Sequence, residues 1–271
     1  MISCKEYAQR KKEELKARVD AMYRTPFLAV VQIGNDEASN SYIKGKKKDC
    51  EEVGIEFGHL HIPRYGKMSE EELIHVIKRL DRDNGIDGII IQLPIPDKYD
   101  VEKLQNCISP EKDVDGFRRD SCFKPCTPKG IMDWLDYNNY DLEGKDVVVA
   151  GRSKIVGKPL VNMLIDRGAT VTCINSKTKH PVQHTFRSEL FISAIGKPEH
   201  WIDDDFYRTE VIIDVGINRN GDGKLCGDVD REMFDGEAYG TYVTPVPGGV
   251  GLLTRVALLE NVVESASKRG M

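Results

Sequence analysis

One predicted helix carries a tyrosine and a lysine whose spacing could place them together. Tyr42 and Lys46 are four residues apart in the helical run Ser39 to Glu52, so their side chains share one helix face. An aromatic ring and an amine on one pocket wall could hold a flat ligand and transfer a proton. Further lysines lie within residues 44–48, and such clusters are more often solvated basic faces. Other segments must therefore single out Lys46.

A second candidate site is a turn between a predicted strand and a predicted helix. The strand Asp146 to Ala150 is followed by Gly151, and Gly157 opens the next helical segment. Glycine lets backbone approach a pyrophosphate closely, and a helix N-terminus offers N–H groups and positive potential. The spacing only half matches the general dinucleotide signature Gly-x-Gly-x-x-Gly, so a strand-turn-helix without a ligand remains an alternative.

The end of the following strand indicates which dinucleotide the turn would bind. An NAD site usually has Asp or Glu about 20 residues further along. Here Ile174 is followed by Asn175 and Ser176, with no acidic residue. Ser176 could donate a hydrogen bond to a 2′-phosphate, and Arg152 in the turn could pair with it. These residues favour NADP over NAD, with a solvated polar turn as the alternative.

The elements that must position these residues follow from alternating apolar runs and amphipathic stretches. The pattern predicts helices at 5–24, 39–52, 69–83 and 252–268, a helix opened by Thr127 and Pro128, and strands at 27–33, 55–62, 88–93, 146–150, 170–174, 190–194 and 211–215. Ser39 and Ser69 are the expected N-caps of their helices. Strands separated by helices indicate an α/β protein with parallel sheets, and 271 residues favour two domains.

Composition restricts the classes of partner. The net charge of −5 gives no general attraction to nucleic acid or to an anionic membrane, so we expect neither as a partner. The sequence has no apolar run of about 18 residues, and its first residues do not resemble a signal peptide, which favours the cytoplasm. The expected ligand is small.

The cysteine and histidine pattern favours neither a disulfide framework nor a metal site. The seven cysteines are an odd number and include no Cys-x-x-Cys pair, so we expect free thiols. His59 with His61, and His180 with His184, have spacings a metal could use, but they lack acidic or cysteine partners nearby. No metal is expected.

Six motifs, in order, resemble those of bifunctional methylenetetrahydrofolate dehydrogenase/cyclohydrolases. They are Tyr42 to Lys46, Gln92-Leu93-Pro94, Lys112 to Phe117, Pro125 to Gly130, Gly151 to Pro159, and Thr244 to Gly251. The resemblance implies a catalytic, folate-binding domain from residues 1–120 with 252–271, and a Rossmann-like NADP-binding domain from residues 121–251. It also implies a cleft where both ligands meet, and a homodimer.

The resemblance assigns roles to individual residues. Lys46 matches the key catalytic lysine of the family, and Gln92 matches the residue that orients this lysine. Asp115 matches the residue that holds the pterin ring, and Tyr42 matches the residue that stacks against the folate. Cofactor-binding positions match Gly151, Arg152, Ser153, Ser176 and Ile217. A loop beside the folate matches Pro247, Gly248 and Gly249.

The activity implied is oxidation of 5,10-methylenetetrahydrofolate to the 5,10-methenyl compound with NADP, then hydrolysis to 10-formyltetrahydrofolate. Two departures occur: Leu252-Leu253 stands where the family usually has Pro-Met, and Asn175 where it commonly has His. The first could reshape the folate loop and the second could alter cofactor preference. Two other functions remain open: a dehydrogenase without hydrolase activity, and a nucleotide-responsive binding protein without turnover.

Overall fold

The structure is a computed structural model that describes residues 1–63, 68–234 and 240–269. It contains two compact units. The N-terminal unit comprises Gln9–Cys126 and Arg255–Met271, and the central unit comprises Met1–Ala8 and Thr127–Thr254. None of the helices in the described residues is long and apolar enough to span a bilayer.

The helices and strands follow the order predicted from the sequence, with several short additions. They are α1 (Cys4–Asp20), β1 (Phe27–Ile33), α2 (Glu37–Val53), β2 (Glu56–Ile62), α3 (Glu70–Arg82), β3 (Gly88–Gln92), α4 (Val101–Gln105), α5 (Cys126–Tyr137), β4 (Asp146–Ala150), α6 (Gly157–Ile165), β5 (Thr170–Ile174), α7 (Val182–Thr185), β6 (Leu190–Ser193), β7 (Val211–Asp214), β8 (Asn218–Arg219), β9 (Leu225–Cys226), β10 (Tyr242–Val243) and α8 (Val250–Arg269). Short α4, α7, β8, β9 and β10 were not predicted.

The N-terminal unit contains a three-stranded parallel sheet in the order β2-β1-β3. Its central strand β1 is buried on both faces, because Leu28 and Val30 belong to one apolar cluster and Ala29 and Val31 to another. Burial on both faces is typical of a strand whose residues form a continuous apolar run, as residues 27–33 do. The residues of α8 beyond Arg255 complete the first cluster.

The helix that carries Tyr42 and Lys46 begins earlier than predicted. Its N-cap is Asp36, whose carboxylate accepts a hydrogen bond from the Ser39 N–H at 2.7 Å, so the expected cap at Ser39 was wrong. The Ser39 hydroxyl instead donates to the Leu93 carbonyl at 3.2 Å, and thereby fastens α2 to the end of β3. The predicted cap at Ser69 is confirmed, with Glu72 completing a capping box.

The central unit contains a five-stranded parallel sheet in the order β10-β7-β6-β4-β5. Together with the N-terminal sheet, it confirms the predicted α/β class. The first residues of α1 belong to this unit, because Cys4 and Tyr7 pack in the same apolar cluster as Trp134. The Trp134 indole N–H also donates to the Ile2 carbonyl at 3.1 Å.

Candidate active site

Lys46 is set apart from its neighbouring lysines by a hydrogen bond with Gln92. The Lys46 ammonium donates to Gln92 Oε1 at 3.0 Å, and both side chains are partly buried. Gln92 ends β3, and its own amide donates to the Leu93 carbonyl at 2.7 Å, which fixes its orientation. Lys47 and Lys48 are exposed, as expected for a solvated helix face. The pair therefore joins residues 46 positions apart in a defined geometry.

Asp115 lies close to this pair in a loop held from two sides. Asn261 of α8 donates to the Val114 carbonyl at 2.8 Å, and the Cys126 N–H donates to the Asp115 carbonyl at 3.3 Å. Gly116 has φ +71°, and a Cβ there would lie 2.6 Å from the Lys124 carbonyl carbon. The backbone can pass Lys124 this closely only because residue 116 is glycine.

The electrostatic environment of Asp115 links it to Lys46. Burial raises the pKa of the Asp115 carboxyl, while the charge of Lys46 and a hydrogen bond with Cys126 lower it. Tyr42 shares the helix face of Lys46, and burial raises the pKa of its phenol. The N-terminal unit therefore brings together an aromatic ring, a lysine, an amide and a carboxylate, which can hold a polar ring system and transfer a proton.

The turn after β4 has the close backbone packing expected of a nucleotide site. Gly151 has φ +114°, and a Cβ there would overlap the Ala194 carbonyl. A Cβ at Gly157 would overlap the Gly151 carbonyl, so both glycines are sterically required. The Arg152 and Ser153 N–H groups have no hydrogen-bond acceptor within the residues that the structure describes. They could donate to phosphate.

The first N–H groups of α6 are less available than the sequence suggested. The Ser153 hydroxyl accepts from the N–H groups of Val156 and Gly157 at 3.1 and 3.3 Å, and the Ser153 carbonyl accepts from Lys158. Ser153 therefore acts as a local cap, since these donors would otherwise lack partners. The expectation of N–H groups left open at this helix start was wrong for these three donors.

A cavity of about 410 Å³ adjoins this turn at the carboxyl ends of β4, β5 and β6. Gly151, Arg152, Asn175 and Ser176 line it, together with Trp201 and other residues. The ends of parallel strands are the usual place for a nucleotide in such sheets. Glycine, a cation, a hydroxyl and an aromatic ring are suited to a dinucleotide phosphate and base, so these residues fit the cofactor predicted from the sequence.

Two predicted cofactor residues, Ser153 and Ile217, do not line this cavity as the structure describes it. Ile217 follows β7 and is 47% exposed. The predicted folate-side loop follows β10: Gly248 has φ +102°, while a Cβ at Gly249 would overlap the Pro245 carbonyl. Pro247 is exposed in the same loop.

Sequence reasoning missed a buried carboxylate pair beside the cofactor turn. Asp228 accepts from the Ser193 hydroxyl and from the Ile195 N–H, both at 2.8 Å. Asp214 accepts from the N–H groups of Asp228, Val229 and Gly216. The run Gly-Asp-Val-Asp at 227–230 was the available signal, since glycine beside acids marks close packing: a Cβ at Gly227 would overlap the Asp214 carboxylate.

This pair predicts a pH dependence of stability. Burial raises the pKa of Asp214 to about 6, three backbone N–H groups oppose the rise, and Asp228 adds to it. A carboxyl with a raised folded-state pKa binds protons better in the folded protein, so its contribution to stability is lost as pH rises from about 4 to about 6. The advantage of the wild type over Asp214→Asn should shrink across this range by on the order of 2 to 3 kcal/mol.

Urea unfolding of both proteins at several pH values measures this difference. The asparagine variant has one hydrogen-bond acceptor fewer at every pH, which lowers its stability by a constant amount. The raised pKa is therefore tested only by how the difference in unfolding free energy between the two proteins changes with pH. A difference that is flat, or that grows between pH 4 and pH 6, would contradict it.

Family models match both halves of the chain, and relatives match nearly its full length. The family model "Tetrahydrofolate dehydrogenase/cyclohydrolase, catalytic domain" matches residues 2–115, and "Tetrahydrofolate dehydrogenase/cyclohydrolase, NAD(P)-binding domain" matches residues 125–270. "Bifunctional protein FolD" from Bacillus subtilis is 41% identical over 99% of this chain and 98% of its own length. The protein of that name from Bacillus anthracis is 43% identical over 100% of this chain and 98% of its own.

Solved structures show the same fold. The bifunctional enzyme FolD-methylenetetrahydrofolate dehydrogenase/cyclohydrolase from Campylobacter jejuni has a TM-score of 0.93 at 39% identity, covering 98% of each chain. A Trypanosoma brucei methylenetetrahydrofolate dehydrogenase-cyclohydrolase, solved with NADP cofactor and inhibitor, has a TM-score of 0.90 at 28% identity, covering 99% of this chain and 97% of its own. The chain belongs to the tetrahydrofolate dehydrogenase/cyclohydrolase family.

Proposed function

We propose that the protein oxidises 5,10-methylenetetrahydrofolate with NADP and hydrolyses the resulting 5,10-methenyltetrahydrofolate to 10-formyltetrahydrofolate. The observation that carries this proposal is the 3.0 Å hydrogen bond between the Lys46 ammonium and Gln92, in a chain that belongs to this family. The hydrolysis needs a general acid or base, and the hydrogen bond with Gln92 holds Lys46 in place for this role.

The oxidation requires alignment more than acid or base chemistry. The C–H bond of the methylene carbon breaks, its electron pair leaves as hydride, and the methenyl cation remains. Bound NADP supplies the hydride acceptor. The proposed roles of Asp115 and Tyr42 are to hold the pterin and to stack against the folate, so that the methylene carbon has a fixed position.

The hydrolysis requires proton transfer. Water adds to the methenyl carbon, the bond from that carbon to N5 breaks, and one proton is released overall. Lys46 in its amine form can accept a proton from the attacking water and return one to the departing nitrogen. The Gln92 carbonyl oxygen keeps the Lys46 nitrogen within 3.0 Å and so restricts its position.

A paired assay separates this function from its two alternatives. NADPH formation and methenyl consumption are followed on one preparation supplied with methylenetetrahydrofolate and NADP. We expect both NADPH formation and methenyl consumption to be faster than the uncatalysed reactions. Oxidation without methenyl hydrolysis above the uncatalysed rate would support a monofunctional dehydrogenase, and nucleotide binding without either reaction would support a binding protein.

Arg152 is proposed to set the choice of NADP over NAD. It lines the cavity beside Ser176, and its guanidinium is exposed. Arg152→Ala should lower kcat/KM for NADP by about tenfold, the lower range for a charge-assisted contact. The value for NAD, which lacks the 2′-phosphate, should change little. Steady-state kinetics with both cofactors measures this, with the exposed Lys179→Ala as control. Equal losses with both cofactors would remove Arg152 from 2′-phosphate recognition.

The resemblance supports three further proposals. The protein is a cytoplasmic homodimer, and light scattering of the purified chain tests the dimer. Residues 1–120 with 252–271 bind the folate, and residues 121–251 bind NADP. Ser153, Ile217 and the loop Pro247 to Gly249 keep the cofactor and folate roles that the resemblance implies.

A further inference from the structure

The guanidinium of Arg255 lies across the backbone of α2 at Gly45. A Cβ at Gly45 would overlap Arg255 Nη1 and lie 3.5 Å from Cζ, so the absence of a side chain at residue 45 leaves the space that Arg255 occupies. Gly45 is three residues from Tyr42 and adjacent to Lys46. Arg255 therefore adds a second cation next to the helix face that carries the proposed folate contacts.

One edge of Arg255 is held by a buried carboxylate. Its Nε lies 3.1 Å from Asp49 Oδ2, and Asp49 is 3% exposed. The other carboxylate oxygen accepts from the Lys12 ammonium at 2.6 Å. Lys12 is also paired with Glu52 at 2.9 Å, so two carboxylates balance the charges of Lys12 and Arg255. The ion pair with Asp49 restricts the position of Arg255 and involves only its Nε side.

The other edge of Arg255 is available. Within the described residues, its two Nη groups donate no hydrogen bond, and the side chain is 23% exposed. Its charge also reaches the neighbouring ring, because it lowers the pKa of the Tyr42 phenol against the effect of burial. A planar guanidinium with open Nη donors is the side chain best suited to a carboxylate.

Resting on the proposed function, we propose that Arg255 is a specificity-determining residue that binds a carboxylate of the glutamate tail of folate. A folate consists of a pterin, a benzoyl ring and an anionic glutamate, in that order. Asp115 and Tyr42 are the proposed partners of the first two groups. Arg255, beside Tyr42, presents the charge that matches the third.

The test compares two substrates that differ only in the tail. The values of kcat/KM are measured for 5,10-methylenetetrahydrofolate and for 5,10-methylenetetrahydropteroate, which has no glutamate. The wild type should prefer the glutamate-bearing substrate by about tenfold, the lower range for a charge-assisted hydrogen bond. Arg255→Gln should reduce this preference to less than about twofold by lowering only the value for the folate.

A control and a second variant separate binding from folding. Lys12→Gln removes the other cation of Asp49 and should keep the tenfold preference. If Arg255→Gln fails to fold because Asp49 Oδ2 has lost its ion-pair partner, Asp49→Asn with Arg255→Gln removes both charges and serves instead. Its preference should also be lost.

The outcomes distinguish this inference from the proposed function. An unchanged preference in folded Arg255 variants, or a loss of preference in Lys12→Gln as well, would overturn the role of Arg255 alone. If the wild type showed no preference for the glutamate-bearing substrate, the proposed role of Arg255 would also be overturned. Absence of turnover with both substrates would overturn the proposed function, and this inference with it.

Discussion

Lys46→Met is expected to lower the rate of methenyltetrahydrofolate hydrolysis by about 10² to 10⁴-fold, the usual contribution of a general acid or base. Methionine keeps an unbranched apolar chain on the face of α2 and removes only the amine, so packing should be retained. Oxidation should fall less, because hydride transfer depends on alignment rather than on a proton acceptor.

Initial rates of NADPH formation and methenyl consumption on one folded preparation measure the two effects. Lys48→Met is the matched control, since Lys48 is an exposed lysine two residues along the same helix. It should leave both rates near wild type. If Lys46→Met hydrolysed the methenyl compound at the wild-type rate, Lys46 would have no role in the hydrolysis. It would then be one more lysine of a solvated helix face.

Asp115→Ala is expected to weaken folate binding by about 10² to 10³-fold, because its carboxylate is proposed to accept hydrogen bonds from more than one pterin N–H group. NADP affinity should stay nearly unchanged. Asp115→Asn keeps the shape and one acceptor oxygen, and it should give a smaller loss. Equilibrium titration of each variant with folate substrate and with NADP separates the two affinities.

The control for Asp115 is another aspartate of the same segment. Asp120→Ala removes a carboxylate that pairs with Arg118 and is 62% exposed, so it should affect neither affinity. If Asp115→Ala bound folate as tightly as the wild type, the pterin would have to occupy another place in the protein.

The longer elements could be predicted because their own residues determine them. Strands β1 and β4 have the predicted bounds, since apolar runs bounded by turn residues favour buried strands. The edge strand β5 also has the predicted bounds, although most of its residues are not buried. The two-residue strands β8, β9 and β10 carry too short a pattern, and they exist because neighbouring strands pair with them. Asp36 was missed as a cap because Ser39 offered an equally suitable residue.

The site could be predicted only where a motif surrounds each residue. Lys46 and Gln92 are far apart in sequence, and only the resemblance indicated that they meet. The contact between Gly45 and Arg255 joins residues from opposite ends of the N-terminal unit, and neither residue has a local pattern that predicts it. The Asp214 network has a local signal in the run at 227–230, but its donors come from separate loops, and the sequence does not show that they meet.

The contacts of α8 have a consequence for biosynthesis. Asn261 and Ser265 hydrogen-bond to the carbonyls of Val114 and Asp87, across 147 and 178 residues of sequence. At about 5 to 20 residues per second, the ribosome needs roughly 6 to 25 s to make the intervening residues 127–254. During this interval the nascent N-terminal sheet lacks the helix that covers one of its faces. The apolar residues Leu28, Val30 and Ile90 would then be accessible to a ribosome-associated chaperone until α8 emerges.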